Sequence, residues 1–167
     1  GWRDDAGGYL TGDLCERSAH LFDGHAIVQI AAMRAPWPIL WFVSDNGRRP
    51  GCTFVPGQQV VAWHWHDTDG VVESCGVNSE GGEDRLYLIV RRTINGVTKR
   101  YVERLGSLLP TSLADSWFLD CALAYAGSPV SVVTGLAHLE GKTVGVFADG
   151  RQQTTKVVAG GQITLDT

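Results

Sequence analysis

The sequence has little that would build long helices or a structural zinc site. It contains a single Met against 21 Gly among 167 residues. Because Gly favours turns and weakens helix interiors, this ratio predicts many tight turns and few long helices, which favours an all-β chain. The four Cys form no C-x-x-C pair, so they predict free thiols in a reducing compartment and no zinc site of that kind.

Long apolar runs and an excess of positive charge are also missing. No stretch approaches the roughly 20 apolar residues of a membrane span, and the start of the chain lacks a signal-peptide segment. A net charge of -4 argues against a surface built as a whole to bind nucleic acid, although a local basic patch remains open. The only Met is Met33. We therefore expect the chain to be part of a longer protein.

Catalytic motifs are absent as well. There is no G-x-S-x-G nucleophile motif, and no Cys lies beside a His in the sequence. The loop at 79–84 is Gly-rich, but its three carboxylates would repel a phosphate and its spacing matches no EF-hand. A solvated hairpin loop is the simpler interpretation. The absence of these motifs lowers the expectation of an enzyme, and we expect no cofactor.

An aromatic stretch at 59–70 is the most informative part of the sequence. In an extended strand, alternation sends Trp63 and Trp65 to one face and His64 and His66 to the other. We expect the two Trp, together with Trp41, to be core aromatic residues, and the two His to lie on the polar face. The alternative is a metal site at His64 and His66, with a third ligand from the carboxylates that follow.

The strongest hairpin signal is Asn95-Gly96, which lies between strand-like segments at 85–94 and 97–105. A two-residue turn pairs Ile94 with Val97 and brings like charges together at the tip. These charges are Arg91, Arg92, Lys99 and Arg100. The tip either extends into water or contacts an acidic neighbour, another subunit or a phosphate backbone.

The remaining segments suggest two domains. Asp13 and Glu16 resemble a capping box and predict one short N-terminal helix that ends near Gly24. Pro110 and the loss of strand periodicity place a linker at 106–118, between a β module at 1–105 and a C-terminal module at 119–167. The C-terminal segments are short, closely spaced and separated by Gly turns, which predicts a small β-barrel or sandwich.

An ordered series of motifs resembles one known family. The series comprises Asp13-Leu14 with 19–22, Ala35-Pro36 with Leu40-Trp41, 45–47, 59–66, 68–70, 72–74, 81–84, 90–92, Asn95-Gly96, 100–105, 136–141 and 146–150. In this order it resembles the tail tubular protein B or nozzle group of short-tailed phages and prophages. The likeness spans nearly the whole chain.

The resemblance implies a mainly β fold, with antiparallel sheets like propeller blades followed by a small β-barrel. It implies a non-catalytic structural role in the virion tail, in a ring that lines the DNA exit channel. The expected partners are other copies of the chain, portal or adaptor proteins, other tail proteins and phage DNA, with assembly in the host cytoplasm. Family members are several times longer, and Arg48-Arg49-Pro50 departs from their pattern.

Two other functions remain as alternatives. Exposed Trp such as Trp37 or Trp117 would suit a carbohydrate- or ligand-binding β module, because flat aromatic rings stack on sugars. The metal alternative at His64 and His66 would suit a metal-dependent hydrolase.

Overall fold

A computed structural model describes residues 2–3, 7–9, 12–112, 116, 118–119 and 121–166 of the chain. The strands are β1 (Trp2–Arg3), β2 (Gly8–Tyr9), β3 (Ile27–Met33), β4 (Ile39–Ser44), β5 (Arg49–Val55), β6 (Val60–His66), β7 (Val71–Glu80), β8 (Glu83–Ile94), β9 (Val97–Arg104), β10 (Val132–Thr134), β11 (Thr143–Val144), β12 (Phe147–Ala148), β13 (Arg151–Gln152), β14 (Lys156–Val157) and β15 (Gln162–Thr164). Short 3-10 helices span Glu16–Leu21, Pro56–Gln58 and Ala137–Leu139. The fold is mainly β with antiparallel strand pairs, so the fold class is confirmed at this level.

The first large sheet is a meander with the strand order β3-β4-β5-β6. Met33 pairs with Ile39 across the first connection, and Val55 pairs with Val60 across the last. The connections contain the residues that turns require, because Gly47 and Gln59 both have positive φ. The Gly and Pro residues between the strands therefore explain why consecutive antiparallel strands are joined by short turns.

The second large sheet has the strand order β7-β8-β9. Asn95 and Gly96 have φ of 48° and 74°, as a two-residue type I′ turn requires. The main-chain N–H of Leu105 donates to the carbonyl of Leu86 at 2.9 Å, and the hydroxyls of Thr93 and Thr98 lie 2.8 Å apart. Both pairs follow from the register that places Ile94 opposite Val97, so the predicted hairpin and its register are confirmed.

The hydrophobic core lies between the facing sides of these two sheets. β3 and β4 pack against β7, and buried side chains of both sheets form one cluster: Met33, Ile39, Trp41, Val43, Val72, Cys75, Leu86, Leu88 and Val90. Trp41 is 2% exposed, and its indole N–H donates to the sulfur of Met33 at 2.9 Å. Burial of apolar area of this kind stabilises the fold by about 25 cal/mol per Å².

Polar side chains also join the two sheets. The amide of Gln29 accepts from the main-chain N–H of Cys75 at 3.0 Å and donates to its carbonyl at 2.7 Å. The side chain of Gln29 therefore makes the two hydrogen bonds to Cys75 that the main chain of a neighbouring strand would make. At the other end of the sheets, the carboxylate of Asp84 accepts from the main-chain N–H of Arg34 at 2.6 Å.

By its contacts the chain divides into two compact units. One comprises residues 1–90 and 101–109, and the other comprises residues 91–100 and 110–167. The division falls close to the predicted linker. However, the tip of the β8–β9 hairpin groups with the C-terminal unit, which the sequence-based boundaries did not anticipate.

The C-terminal unit has a small core of its own, formed by Leu136, Val158 and Ile163. Its strands pair as β10 with β15, β11 with β14 and β12 with β13. Among the described residues these are separate two-stranded ladders, and they do not form one closed hydrogen-bonded barrel. The carboxylate of Glu140 accepts from the main-chain N–H groups of Gly160 and Gly161 at 2.9 and 2.7 Å, which holds the turn before β15.

The predicted N-terminal helix is shorter than expected. Only Glu16–Leu21 is helical, in 3-10 geometry, and Ser18 within it is non-helical. The Asp13 carboxylate caps the N–H of Cys15 at 2.7 Å, so Asp13 initiates a tight turn and the chain does not continue into a regular α-helix.

Candidate functional site

The most unusual polar feature is a pair of imidazoles on β6. Nδ1 of His64 lies 2.7 Å from Nε2 of His66, and the two rings are perpendicular with centroids 4.9 Å apart. Both rings pack edge-on against the buried Trp41, with centroid distances of 5.4 and 5.1 Å. The guanidinium of Arg49 lies over the same indole, 4.9 Å from the ring centroid. We call these four residues the histidine cluster.

The backbone of β5 explains why the rings fit there. Gly51 pairs with His64, and Arg49 pairs with His66. A Cβ at Gly51 would overlap the His64 ring and would also meet Trp41. Gly51 is therefore needed for the close approach of the imidazole to the sheet, rather than for its own backbone angles.

The histidine cluster reverses the predicted faces of β6. His64 and His66 share the face of Trp41, whereas Trp65 on the opposite face is 54% exposed. The prediction that Trp65 is a core residue is therefore wrong, as is the prediction that the two His lie on the polar face. Alternation itself is confirmed. The error arose because hydrophobicity alone assigned the aromatic face to the core.

Trp41 lies in the core cluster as predicted, whereas Trp63 does not belong to that cluster. Trp63 is half-buried, packs edge-on against Phe22 at 4.9 Å and donates its indole N–H to the carbonyl of Leu14 at 2.7 Å. It also contacts Phe42 at 5.2 Å. Trp63 therefore anchors the N-terminal segment on the outer face of the first sheet, while Trp41 lies in the core between the sheets.

Burial and a neighbouring cation keep the two imidazoles neutral. Burial lowers the pKa of His64, and the positive charge of Arg49 lowers it further. For His66 the pKa is lowered to about 4 by burial, then by Arg49 and His64, with Asp67 opposing the shift. A 2.7 Å contact between two neutral imidazoles requires that one N–H donates to the lone pair of the other. The pair thus acts as one hydrogen-bonded unit.

The metal alternative gains no third ligand from this geometry. Across the described residues, no group of three or more His, Cys, Asp or Glu side chains could hold a metal ion. Arg49 places a positive charge beside the two rings, which disfavours a second cation. The cluster therefore fits a packed polar contact against Trp41 better than it fits a hydrolytic centre.

The basic hairpin tip is only partly a surface feature. Arg91, Lys99 and Arg100 are exposed, whereas Arg92 is 9% exposed. Within the hairpin, Arg91 lies opposite Arg100 and Arg92 opposite Lys99, as the register requires. Three of the four cations therefore lie at the surface. Arg92 is a buried residue of the C-terminal unit.

Two exposed Trp flank the first sheet. Trp37 lies in the turn between β3 and β4 and is 54% exposed. Trp65 on β6 is equally exposed, and the guanidinium of Arg48 lies 5.6 Å from its ring centroid. Trp117, the other suggested stacking residue, lies outside the described residues. Sequence reasoning did not identify Trp65 as an exposed ring, nor Arg49 and Gly51 as neighbours of the His pair. The sequence offered one indication of these neighbours. β5 and β6 are consecutive strands, so the side chains of their paired residues point to the same face of the sheet.

The second sheet has a mainly apolar groove. The groove has a volume of about 220 Å³ and is lined by Ser74, Cys75, Gly76, Tyr87, Leu88, Ile89 and Val102. A Cβ at Gly76 would meet no atom, so the missing side chain there helps to form the depression.

Comparison with known proteins assigns the chain to no family. No protein-family model matches the sequence, and a search of curated proteins returns no significant match. Within the described part of the chain, no helix is long and apolar enough to cross a membrane.

Proposed function

We propose that the chain is a structural component of a short-tailed phage or prophage tail. The proposal rests on the ordered motifs that resemble the tail tubular protein B or nozzle group. The observation that carries it in three dimensions is the succession of two antiparallel meanders, β3–β6 and β7–β9, with β3 packed on β7. Consecutive propeller blades have this arrangement, in which the first strand of one blade lies beside the first strand of the next.

In this proposal the two sheets are consecutive propeller blades, and the C-terminal unit is the small β-barrel of the family. The role is non-catalytic, and the partners are copies of the chain in a ring, portal or adaptor proteins, and DNA in the channel. The histidine cluster supports a packing role for β6, because its polar atoms are directed at each other and at Trp41 rather than at an open cleft.

The hairpin tip is the proposed contact with DNA or with an acidic neighbouring subunit. Arg91 and Arg100 are opposed on one face of the hairpin, so their side chains concentrate positive charge in an otherwise acidic chain. Phosphate contacts depend on such charge and weaken as salt concentration rises.

The test is complementation of a phage or prophage that lacks the gene for this chain. The double variant Arg91→Glu and Arg100→Glu is compared with the wild-type chain and with Arg151→Glu, a single charge reversal in the exposed β13 of the C-terminal unit. We expect particles with the wild-type chain and the Arg151→Glu control to contain the protein in the tail and to retain DNA. The tip variant should lose DNA retention or assembly. Absence of the chain from tail particles would refute the tail role, and a fully functional tip variant would refute the contact at the tip.

A ligand-binding β module is the second candidate, because Trp37 is exposed at a turn where its ring is accessible. It predicts binding of the chain to members of a glycan panel, with loss of binding in Trp37→Ala and no loss in Leu109→Ala, a second exposed apolar residue. If no glycan binds, this candidate is wrong.

A further inference from the structure

We propose that the outer edge of β6 pairs with β6 of a second copy of the chain, antiparallel and about a two-fold axis at Trp63. This is an interaction surface between two copies, and it does not depend on the proposed tail function. In the described part of the chain, β6 is the last strand of the order β3-β4-β5-β6, and no strand pairs with its other side.

The direction of the main-chain groups on β6 follows from the hydrogen bonds of β5. The N–H of Phe54 donates to the carbonyl of Pro38 at 3.0 Å. Even-numbered residues of β5 therefore face β4 with their main-chain groups, and odd-numbered ones face β6. Because Thr53 pairs with Ala62, the even-numbered residues of β6 face β5. The residues whose N–H and C=O groups face the other edge are Val61, Trp63 and Trp65.

This edge is exposed in the whole chain. Val61 is 40% and Trp65 is 54% exposed, and Ala62 on the opposite face is exposed as well. Among the described residues, the main-chain hydrogen bonds of loops and turns do not involve Val61, Trp63 or Trp65. All of β6 also belongs to one compact unit. An exposed edge of this kind is a template for pairing with another strand.

β6 lacks the features that normally prevent such pairing. It contains no Lys, Arg, Asp, Glu or Pro, and its register with β5 is continuous, without a bulge. Its two His are kept neutral near pH 7, because burial and the charge of Arg49 lower the pKa of both rings. A second β6 therefore brings no like charges opposite one another, which makes a second copy of the chain a suitable occupant.

Hydrogen bonding selects one register. A two-fold axis perpendicular to the sheet keeps the same face of both copies on the same side, so opposed residues are both odd-numbered or both even-numbered. With Trp63 on the axis, Val61 lies opposite Trp65 of the second copy. Each of these three residues then makes both of its main-chain hydrogen bonds across the interface.

The neighbouring registers use less of the strand. An axis at Ala62 places Trp65 opposite Gln59, whose φ of 57° is not that of an extended residue. An axis at His64 places Val61 opposite a residue beyond His66, where β6 ends. Only the axis at Trp63 pairs the whole of β6 with its copy.

The side chains fit this arrangement. The Trp63 ring lies 5.2 Å from Phe42 on β4, and its N–H donates to the carbonyl of Leu14 at 2.7 Å. The ring therefore leans over β5, away from the edge, and leaves room for its copy on the axis. Val61 and Trp65, both exposed in one copy, cover each other across the interface. Pairs of an aromatic and a β-branched side chain stabilise neighbouring strands.

The test is the mass of the 167-residue chain in solution, measured by sedimentation velocity and light scattering across the micromolar to low-millimolar range. A contact of one strand from each copy belongs to the small interfaces, below about 1,200 Å², which are typical of weak association. We therefore expect a dimer whose population rises with concentration.

One matched pair of variants separates the edge from the face of the sheet. Val61→Glu loses the contact with Trp65, which the two-fold axis repeats, and should weaken dimerisation about tenfold. Val28→Glu makes the same change at an exposed Val of β3, at the far side of the same sheet, and should leave dimerisation unchanged. Val61→Pro removes an N–H that is directed away from β5, so it should abolish dimerisation while circular dichroism shows an unchanged fold.

Hydrogen exchange tests the edge residue by residue. The amides of Val61, Trp63 and Trp65 should gain protection as the concentration rises, whereas those of Ala62 and His64, which face β5, should not change. A chain that is monomeric at all concentrations would overturn the proposal. A dimer that Val28→Glu weakens as much as Val61→Glu would use the face of the sheet instead, and it would overturn the proposal as well. The same holds for a dimer that Val61→Glu and Val61→Pro leave intact.

Discussion

The histidine cluster should make the stability of the chain depend on pH in a way that one substitution removes. The pKa of His66 falls from 6.5 to about 4 in the folded chain. As the pH falls below 6.5, the unfolded chain therefore binds a proton before the folded chain does. The stability present above this pH is lost progressively between pH 6.5 and about 4 and stays level below it.

The magnitude follows from the size of the shift. Each unit of pKa difference corresponds to about 1.4 kcal/mol, but His66 is only half-buried, so solvent screening reduces the effect to about 1–2 kcal/mol. The assay is urea unfolding followed by Trp fluorescence at a series of pH values, for the wild-type chain and for His66→Gln. Gln retains a hydrogen-bonding group but does not titrate. Carboxylates elsewhere titrate in both chains, so the difference between the two reports the titration of the His64 and His66 pair.

We expect the wild-type chain to lose about 1–2 kcal/mol more than His66→Gln between neutral pH and pH 4. His138→Gln, which alters an exposed His of the C-terminal unit, should follow the wild-type curve. Equal losses in the wild-type chain and His66→Gln would show that His66 is not held neutral by the packing described here, and the reasoning would be wrong.

Three further predictions concern packing and polar contacts. Trp41→Ala should lower the free energy of unfolding by about 3–5 kcal/mol because it leaves a cavity in the core, whereas Trp65→Ala should lower it by less than about 1 kcal/mol; urea unfolding that ranked the two Trp in the reverse order would contradict the burial of their rings. Gln29→Ala should destabilise the chain by about 2–3 kcal/mol because both main-chain groups of Cys75 lose a partner, and hydrogen exchange at the Cys75 amide should rise; unchanged exchange would exclude the contact. The pKa of Asp166 is lowered to about 2, first by its hydrogen bond with Lys156, so its contribution should be present above the ordinary Asp pKa and lost as the pH falls through about 2; an NMR titration that gave Asp166 an ordinary pKa would refute this.

The sequence predicted the elements that depend on short-range signals. The type I′ turn at Asn95-Gly96 needs two residues with positive φ, and Asn followed by Gly meets this need without strain. These two residues therefore determine the register of the whole β8–β9 hairpin. The mainly β class was equally accessible, because the Gly content and the alternating segments both disfavour long helices.

The sequence by itself determined that residues 63–66 alternate between two faces, but not which face is buried. The tertiary structure decided that, because Gly51 on the neighbouring strand leaves room for the His64 ring and Arg49 with Trp41 completes its surroundings. The edge position of β6 likewise depends on the order of strands in the first sheet. Hydrophobicity and local propensity act over a few residues, whereas the choice of face and of edge depends on side chains contributed by other strands.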